Sequence, residues 1–206
     1  MPWTNPETFT AGQTLTAASM NIVSGNARMG RAVFTNEAAR DAAITSPEEG
    51  MVAYLTAPTV PAATGATSTA VPTGVTTIYN GSVWVCVTPI GANSNGASQA
   101  LTTSYADLSV SSTLTSVTLV TGTSALVMFS GRNLASTNFS SLNVKTSTVA
   151  ASAAGTCTNQ GAVICSGKTF VFTGLIAGSN TFTLQGTANV AGGTYDQLSL
   201  AVQGIA

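Results

Sequence analysis

In the second half of the chain, apolar residues recur at every second position. Val117 and Leu119, Leu142 and Val144, Phe170 and Phe172, Phe182 and Leu184, and Leu198, Leu200 and Val202 each alternate with small or polar neighbours. A period of two lines up one set of side chains on one face of an extended strand, so each run predicts a half-buried β-strand. Gly, Ser and Asn punctuate these runs, and no long helical pattern interrupts them. That arrangement predicts an antiparallel β-sandwich of jelly-roll type over residues 100–206. Residues 125–129 are apolar at successive positions, which predicts a central strand or one covered by a second subunit.

The first half reads differently. Residues 14–21 predict a short helix capped by Thr14 or Thr16, with Leu15, Met20 and Val23 on its apolar side. Asn36 followed by an alanine-rich run to Ala43 predicts a second, two-turn helix, which Ser46-Pro47 stops. Residues 50–55 predict a strand. Residues 57–76 are rich in Pro, Ala, Thr and Gly without periodicity and predict an extended loop or linker. Asn80-Gly81 between two β-prone runs predicts a hairpin over residues 77–85 with a type I′ turn. Residues 90–99 predict a second linker. The expected division is therefore an N-terminal segment 1–50, a hairpin module 51–89, a linker 90–99, and a sandwich 100–206 able to close its own core. The fold class is mainly β.

Composition adjusts this picture. Only 6% of residues are charged, against roughly 25% in an average soluble protein, and the net charge is −1. Ser, Thr, Asn and Gly must keep the surface polar. A 44% hydrophobic content with low net charge argues against disorder. Eight of the charges, Glu7, Arg28, Arg31, Glu37, Arg40, Asp41, Glu48 and Glu49, fall in the first fifty residues; Asp107, Arg132, Lys145, Lys168 and Asp196 are scattered over the rest. Six basic residues so dispersed cannot form the patch that displaces counterions from nucleic acid. Apolar runs of five residues, such as 83–87 and 125–129, fall far short of the roughly 20 that a membrane-crossing helix needs. The opening Met-Pro-Trp-Thr-Asn-Pro has neither the basic start nor the apolar stretch of a secretory signal, so synthesis in a cytoplasm is expected.

The chain has no histidine, which removes the Ser-His-Asp and Cys-His nucleophilic systems and the commonest general base. Asp107 and Asp196 are the only carboxylates available to a glycosidase in the second half, and their plainer reading is solvated strand ends or turns. Glu48-Glu49 lacks the further oxygen ligands of a cation site and reads as a solvated turn. No Gly-rich phosphate loop followed by Lys-Ser/Thr is present. Neither catalytic activity nor a cofactor or metal is expected. Cys86, Cys157 and Cys165 read as buried thiols, with a Cys157 to Cys165 hairpin disulfide as the alternative.

The stretch from Trp3-Thr4-Asn5-Pro6 through Gly12-Gln13 to Met20-Asn21 resembles the opening of bacteriophage tail-fibre and minor virion proteins, especially those of actinobacterial phages. Glu49-Gly50-Met51 leading a strand, then Tyr79-Asn80-Gly81-Ser82-Val83-Trp84, is similar to a second module common in phage appendage proteins. The two resemblances cover roughly the first 88 residues. They imply a virion structural protein, made in the host cytoplasm and attached to another phage capsid or tail protein by its N-terminus, with the sandwich facing outward. No collagen-like or coiled-coil shaft is present, so a short fibre, a spike and a capsid decoration protein are all compatible.

Trp3, Phe9, Leu15 and Met20 are the expected virion-docking anchors, because apolar and aromatic anchors dominate interfaces. A chain with so few charges and a run apolar on both faces is expected to bury surface against copies of itself as a homotrimer. Tyr54, Tyr79, Trp84, Leu126 and Met128 are the candidate packing residues. The three aromatics could alternatively stack on a sugar, and a host-surface glycan is a further candidate partner. The alternative to a virion protein is a bacterial cell-surface adhesin or pilin-like subunit, which would have to be exported.

Overall fold

A computed structural model describes residues 32–65, 68–70, 73–94, 99–110, 112–134, 139–150, 155–160, 164–190 and 193–205, together with Thr16. Most of the helix expected at residues 14–21 lies outside them. In chain order the elements are β1 (Ala32–Phe34), α1 (Glu37–Ala43), β2 (Val52–Leu55), β3 (Ala62–Thr64), β4 (Ser68–Ala70), β5 (Val75–Tyr79), β6 (Trp84–Cys86) and β7 (Ile90–Ser94). There follow β8 (Gln99–Ala100), β9 (Ala106–Asp107), β10 (Ser109–Val110), β11 (Thr113–Leu114), β12 (Ser116–Thr121), β13 (Ser124–Asn133) and β14 (Phe139–Thr146). The last four are β15 (Cys157–Gln160), β16 (Ile164–Thr173), β17 (Gly178–Ala188) and β18 (Thr194–Ile205).

The alternating runs become β12, β14, β16, β17 and β18, as their period predicts. They lie in two antiparallel sheets. The first has the order β15-β14-β17-β12-β3, with β9 also on β17; the second has the order β16-β13-β18-β7-β4, with β8 also on β18. This is a mainly β, jelly-roll-like sandwich. β13 is a central strand, between β16 and β18. Its Ala125, Val127 and Phe129 are buried, while Leu126 and Met128 point to the other face and stay half-buried.

Phe182 and Leu184 of β17 and Leu142 and Val144 of β14 meet Leu198, Leu200 and Val202 of β18 in one continuous core. A chain of rings crosses it: Phe129 to Phe170 at 6.2 Å, Phe170 to Phe172 at 5.8 Å, and Phe172 to Phe182 at 6.0 Å, the last edge to face between the two sheets. Such pairs contribute about 0.5–1.5 kcal/mol each beyond the area they bury.

A third sheet, β1-β2-β5-β6, forms the small N-terminal module, with β1 parallel to β2. Helix α1 packs against it. Asn36 caps α1, its Oδ1 accepting from the Ala39 N–H at 3.0 Å. The β5–β6 hairpin forms in the expected place, with Tyr79 opposite Trp84. Its turn is not type I′. Positive φ occurs at Gly81 (88°) and not at Asn80, because the Asn80 side chain instead accepts from the N–H groups of Ser82 and Val83 at 3.1 and 3.0 Å.

Both stretches expected to be linkers contain strands. Within residues 57–76, β3 pairs with β12 and β4 pairs with β7. Within 90–99, β7 pairs along β18 and β8 pairs with the start of β18. β3 and β4 are three-residue edge strands held by backbone pairing, so their sequences show no hydrophobic alternation. β7 does alternate: Ile90, Ala92 and Ser94 are buried and Gly91 and Asn93 are not, but Gly and Asn read as turn residues. The chain therefore passes between module and sandwich three times, at β2 to β3, β4 to β5 and β6 to β7. The sandwich includes strands that lie before residue 100.

Candidate functional surfaces

The module is held together around a buried cation. Arg40 is 5% exposed, and its guanidinium lies 4.6 Å from the centre of the Trp84 ring, donates from Nε to Asp41 Oδ1 at 2.8 Å, and reaches Thr77 Oγ1 at 3.5 Å. Tyr79 packs against the other partner of this contact at a tilt, its ring centre 5.4 Å from that of Trp84. A guanidinium is planar and weakly hydrated, so it can be buried on an indole at a tolerable desolvation cost. Trp84 is thus filled by its own chain. Tyr54 is half-buried with its hydroxyl against Gly74, and Cys86 is buried, its thiol pushed up to about 11 by burial.

The module sits on one end of the sandwich. Val85, Cys86 and Asn80 pack against Gly122 at the β12–β13 turn and Gly204 near the end of β18. The opposite end exposes three large apolar side chains: Tyr105 (39%), Phe139 (44%) and Val190 (52%). Phe139 begins β14, and its carbonyl accepts from Asn189 N–H at 3.0 Å, which places Val190 beside it. Tyr105 precedes β9, which pairs with β17 at Gly186.

The outer face of the second sheet differs from both ends. Leu126 and Met128 of β13, Val171 of β16 (50% exposed), Ala201 and Ile205 (40% exposed) of β18 share it by register. A shallow depression of about 290 Å³ opens there, bordered by Met128, Ser130, Thr169, Ser199 and Ala201. The first sheet's outer face carries hydroxyls instead, as in Thr118 Oγ1 against Thr181 Oγ1 at 2.8 Å. Of the packing candidates, the structure brings Tyr79 and Trp84 together in the module and places Leu126 and Met128 on this separate face. Trp3, Phe9, Leu15 and Met20 lie outside the described residues.

Asp107 and Asp196 do not form a pair. Asp107 is on the first sheet, bound by Lys145 Nζ at 2.7 Å and Gln185 Nε2 at 2.8 Å. Asp196 is on the second, held in two places by Arg132, Nε to Oδ1 at 2.7 Å and Nη2 to Oδ2 at 2.5 Å. The expectation of solvated carboxylates gives way to two ion pairs, one of them nearly buried. Cys157 carries a free thiol, with Sγ 3.7 Å from the Gly167 carbonyl.

No family model and no curated protein matches the chain. Among solved structures it is similar to the CBM36-1 domain of a multidomain xylanase from the hindgut metagenome of Trinervitermes trinervoides, at 11% identity and TM-score 0.35 over 58% of this chain and 99% of that one. It is similar also to a chain of the infectious bursal disease virus Gx strain, at 11% identity and TM-score 0.35 over 64% of this chain and 42% of that one. CBM35 from Paenibacillus barcinonensis matches at 11% identity and TM-score 0.28, over 55% of this chain and 97% of that one. The class that the geometry defines is an antiparallel β-sandwich with a small helix-backed sheet at one end.

Proposed function

We propose that this chain is a structural protein of a bacteriophage particle, a trimeric surface appendage attached through its N-terminal part with the sandwich facing outward. The observation that carries the reading is the molecule's polarity. The module built from the phage-like Glu49-to-Trp84 stretch packs on part of one end of the sandwich, where Ile176 stays 68% exposed, and exposed Tyr105, Phe139 and Val190 occupy the other. That leaves the far end to meet a host surface, and its aromatic and hydroxyl side chains suit an uncharged glycan. Copies would meet through the outer face of the second sheet, where Leu126 and Met128 stand beside Val171 and Ala201 among Thr169, Ser199 and Gln203.

Immunogold labelling of purified phage particles with antibody to the full chain tests this. Gold on capsid or tail supports the reading and separates decoration from fibre or spike. Unlabelled particles together with a labelled bacterial envelope would overturn it in favour of an adhesin. Light scattering at micromolar concentration tests the assembly: a mass three times that of the chain is expected, and a monomer removes the trimer.

A further inference from the structure

Glu37 stands at the first residue of α1 but does not serve only the helix. Its Oε2 accepts from Thr59 N–H at 2.9 Å and from Thr59 Oγ1 at 2.7 Å, and its Oε1 accepts from Val60 N–H at 3.0 Å. Two successive backbone N–H groups and a hydroxyl thus converge on one carboxylate from a segment more than twenty residues away. That segment is the first crossing from module to sandwich: β2 ends at Leu55, and β3 starts at Ala62. Neighbouring contacts fix the same crossing to β1 through Thr56 N–H to the Phe34 carbonyl at 2.9 Å and Ala57 N–H to the Thr35 carbonyl at 2.7 Å. Those are neutral, whereas the Glu37 contacts depend on charge.

We propose that Glu37 is an acid-released clasp on the crossing: ionised, it holds the turn at Thr59 and Val60, and protonated, it lets that turn loosen and β3 fray from the sandwich. β3 is only three residues long and is the edge of the first sheet, paired with β12 from Ala62–Thr118 to Thr64–Ser116. Its loss would leave the β12 edge without a partner strand, and an unpaired edge is a template for association. The clasp goes beyond the virion reading and does not depend on it.

The ionisable groups around Glu37 are few. Arg40 and Asp41 on α1 bind each other, and the Cys86 thiol on β6 is buried. The crossing itself, Ala57-Pro58-Thr59-Val60-Pro61, contains no acid or base. β2 and β5 contribute the phenols of Tyr54, against Gly74, and Tyr79, on Trp84. Partial burial pushes the Glu37 carboxyl up, but the Thr59 side chain and the nearby N–H groups outweigh it and hold the carboxyl below its ordinary 4.5. A carboxyl depressed on folding contributes stability above its unfolded value and loses it as pH falls through the folded one. Release therefore belongs to the acid side of 4.5.

Amide NMR of the full chain over a pH series tests the clasp. The Thr59 and Val60 amide resonances should titrate together with a midpoint below 4.5, and exchange protection at those amides and in β3 should fall over the same range. In Glu37→Gln the titration should vanish and the two amides should exchange severalfold faster than wild type at neutral pH. Thr59→Val removes only the hydroxyl contact, and the midpoint should move up toward the ordinary value. Flat Thr59 and Val60 resonances in the wild type, or protection unchanged in Glu37→Gln, or a midpoint unmoved in Thr59→Val, would overturn the proposal.

Discussion

Replacing Gly204 by alanine should separate module from sandwich. A Cβ built on Gly204 would lie 2.5 Å from Val85 Cγ1, 2.6 Å from the Cys86 carbonyl oxygen and 3.3 Å from the Val120 carbonyl oxygen. Ordinary van der Waals contact begins near 3.4 Å, so two overlaps approach 1 Å. Val85 is fully buried and has little room to rotate. The Cys86 oxygen belongs to a strand paired with β5 and cannot move without its hairpin. The overlap must be relieved by displacing the module, and such overpacking costs about 1–3 kcal/mol. For a chain of this size each kcal/mol lowers the thermal midpoint by roughly 2–4 °C. Gly91→Ala is the control: its Cβ would meet only the Leu200 carbonyl oxygen, at 3.8 Å, so the change should stay within about 0.5 kcal/mol. Urea and thermal melts of both variants, with Gly204→Ala/Val85→Ala as a third, check the account. Val85→Ala alone loses buried methyls, so it is the reference for the double variant. On that background Gly204→Ala should cost less than in the wild type, because the side-chain clash is gone, but not zero, because the carbonyl clash remains. Equal midpoints for Gly204→Ala and Gly91→Ala would refute the close packing of module on sandwich.

Three further outcomes follow from the same geometry. Trp84→Ala removes the surface on which Arg40 and Tyr79 lie and should cost about 3–5 kcal/mol in a urea melt, more than Arg40→Met, which keeps the packed stem and loses the charge with its contacts to Asp41 and Thr77. Met128→Lys places a charge on the half-buried outer face and should leave the circular dichroism spectrum unchanged while reducing the light-scattering mass from that of the proposed trimer to that of a monomer; a persisting trimer would move the contact elsewhere. A fragment of residues 100–206 lacks β3, β4 and β7, exposes the β18 edge where fully buried Ile90 and Ala92 belong, and should show no cooperative melt, whereas a fragment beginning at residue 32 should melt cooperatively.

The strands that could be read from sequence are those whose burial is carried by large side chains. Leu142 and Val144, or Leu198, Leu200 and Val202, state their facing in the sequence because each inward position is filled by an apolar residue. β3 and β4 state nothing, since Ala62-Ala63-Thr64 and Ser68-Thr69-Ala70 are held by partners elsewhere in the chain. β7 was obscured by Gly91 and Asn93, which are punctuation in a local reading and outward-facing positions in a sheet. The Asn80-Gly81 signal gave the hairpin correctly and the turn incorrectly, because an asparagine side chain can take over hydrogen bonds that the backbone would otherwise make. Trp84 was legible as an important aromatic, but not as the bed of Arg40. Seen in sequence, an arginine on a short alanine-rich helix reads as solvated, and only the hairpin folding back over α1 reveals its partner. The Glu37 contacts had no local signal at all.

Low charge has a structural counterpart in how this chain satisfies its buried polar groups. Ser94 and Thr115 meet at 2.8 Å, Ser140 joins Asn133 at 2.7 Å and Tyr195 at 3.0 Å, and Asn180 binds Thr121 at 2.9 Å and Thr148 at 2.8 Å. All but the Asn133–Ser140 contact tie residues distant in sequence, and both partners are neutral in each. A neutral pair forfeits less hydration than an ion pair on burial and is not screened by salt, so it can specify geometry in the interior at lower cost. Hydroxyl and amide pairs therefore do in this sandwich what ion pairs do in more highly charged proteins. The stability they supply does not change with ionic strength or with pH near neutrality. Among the described residues, charge-dependent contacts are then concentrated at a few places, Arg132 with Asp196, Lys145 with Asp107, Arg40 with Asp41, Lys168 with the Thr156 carbonyl, and Glu37 with the crossing. In so uncharged a molecule, acid sensitivity is a local property of those contacts, and the crossing at Thr59 and Val60 is the one that joins the module to a sheet edge.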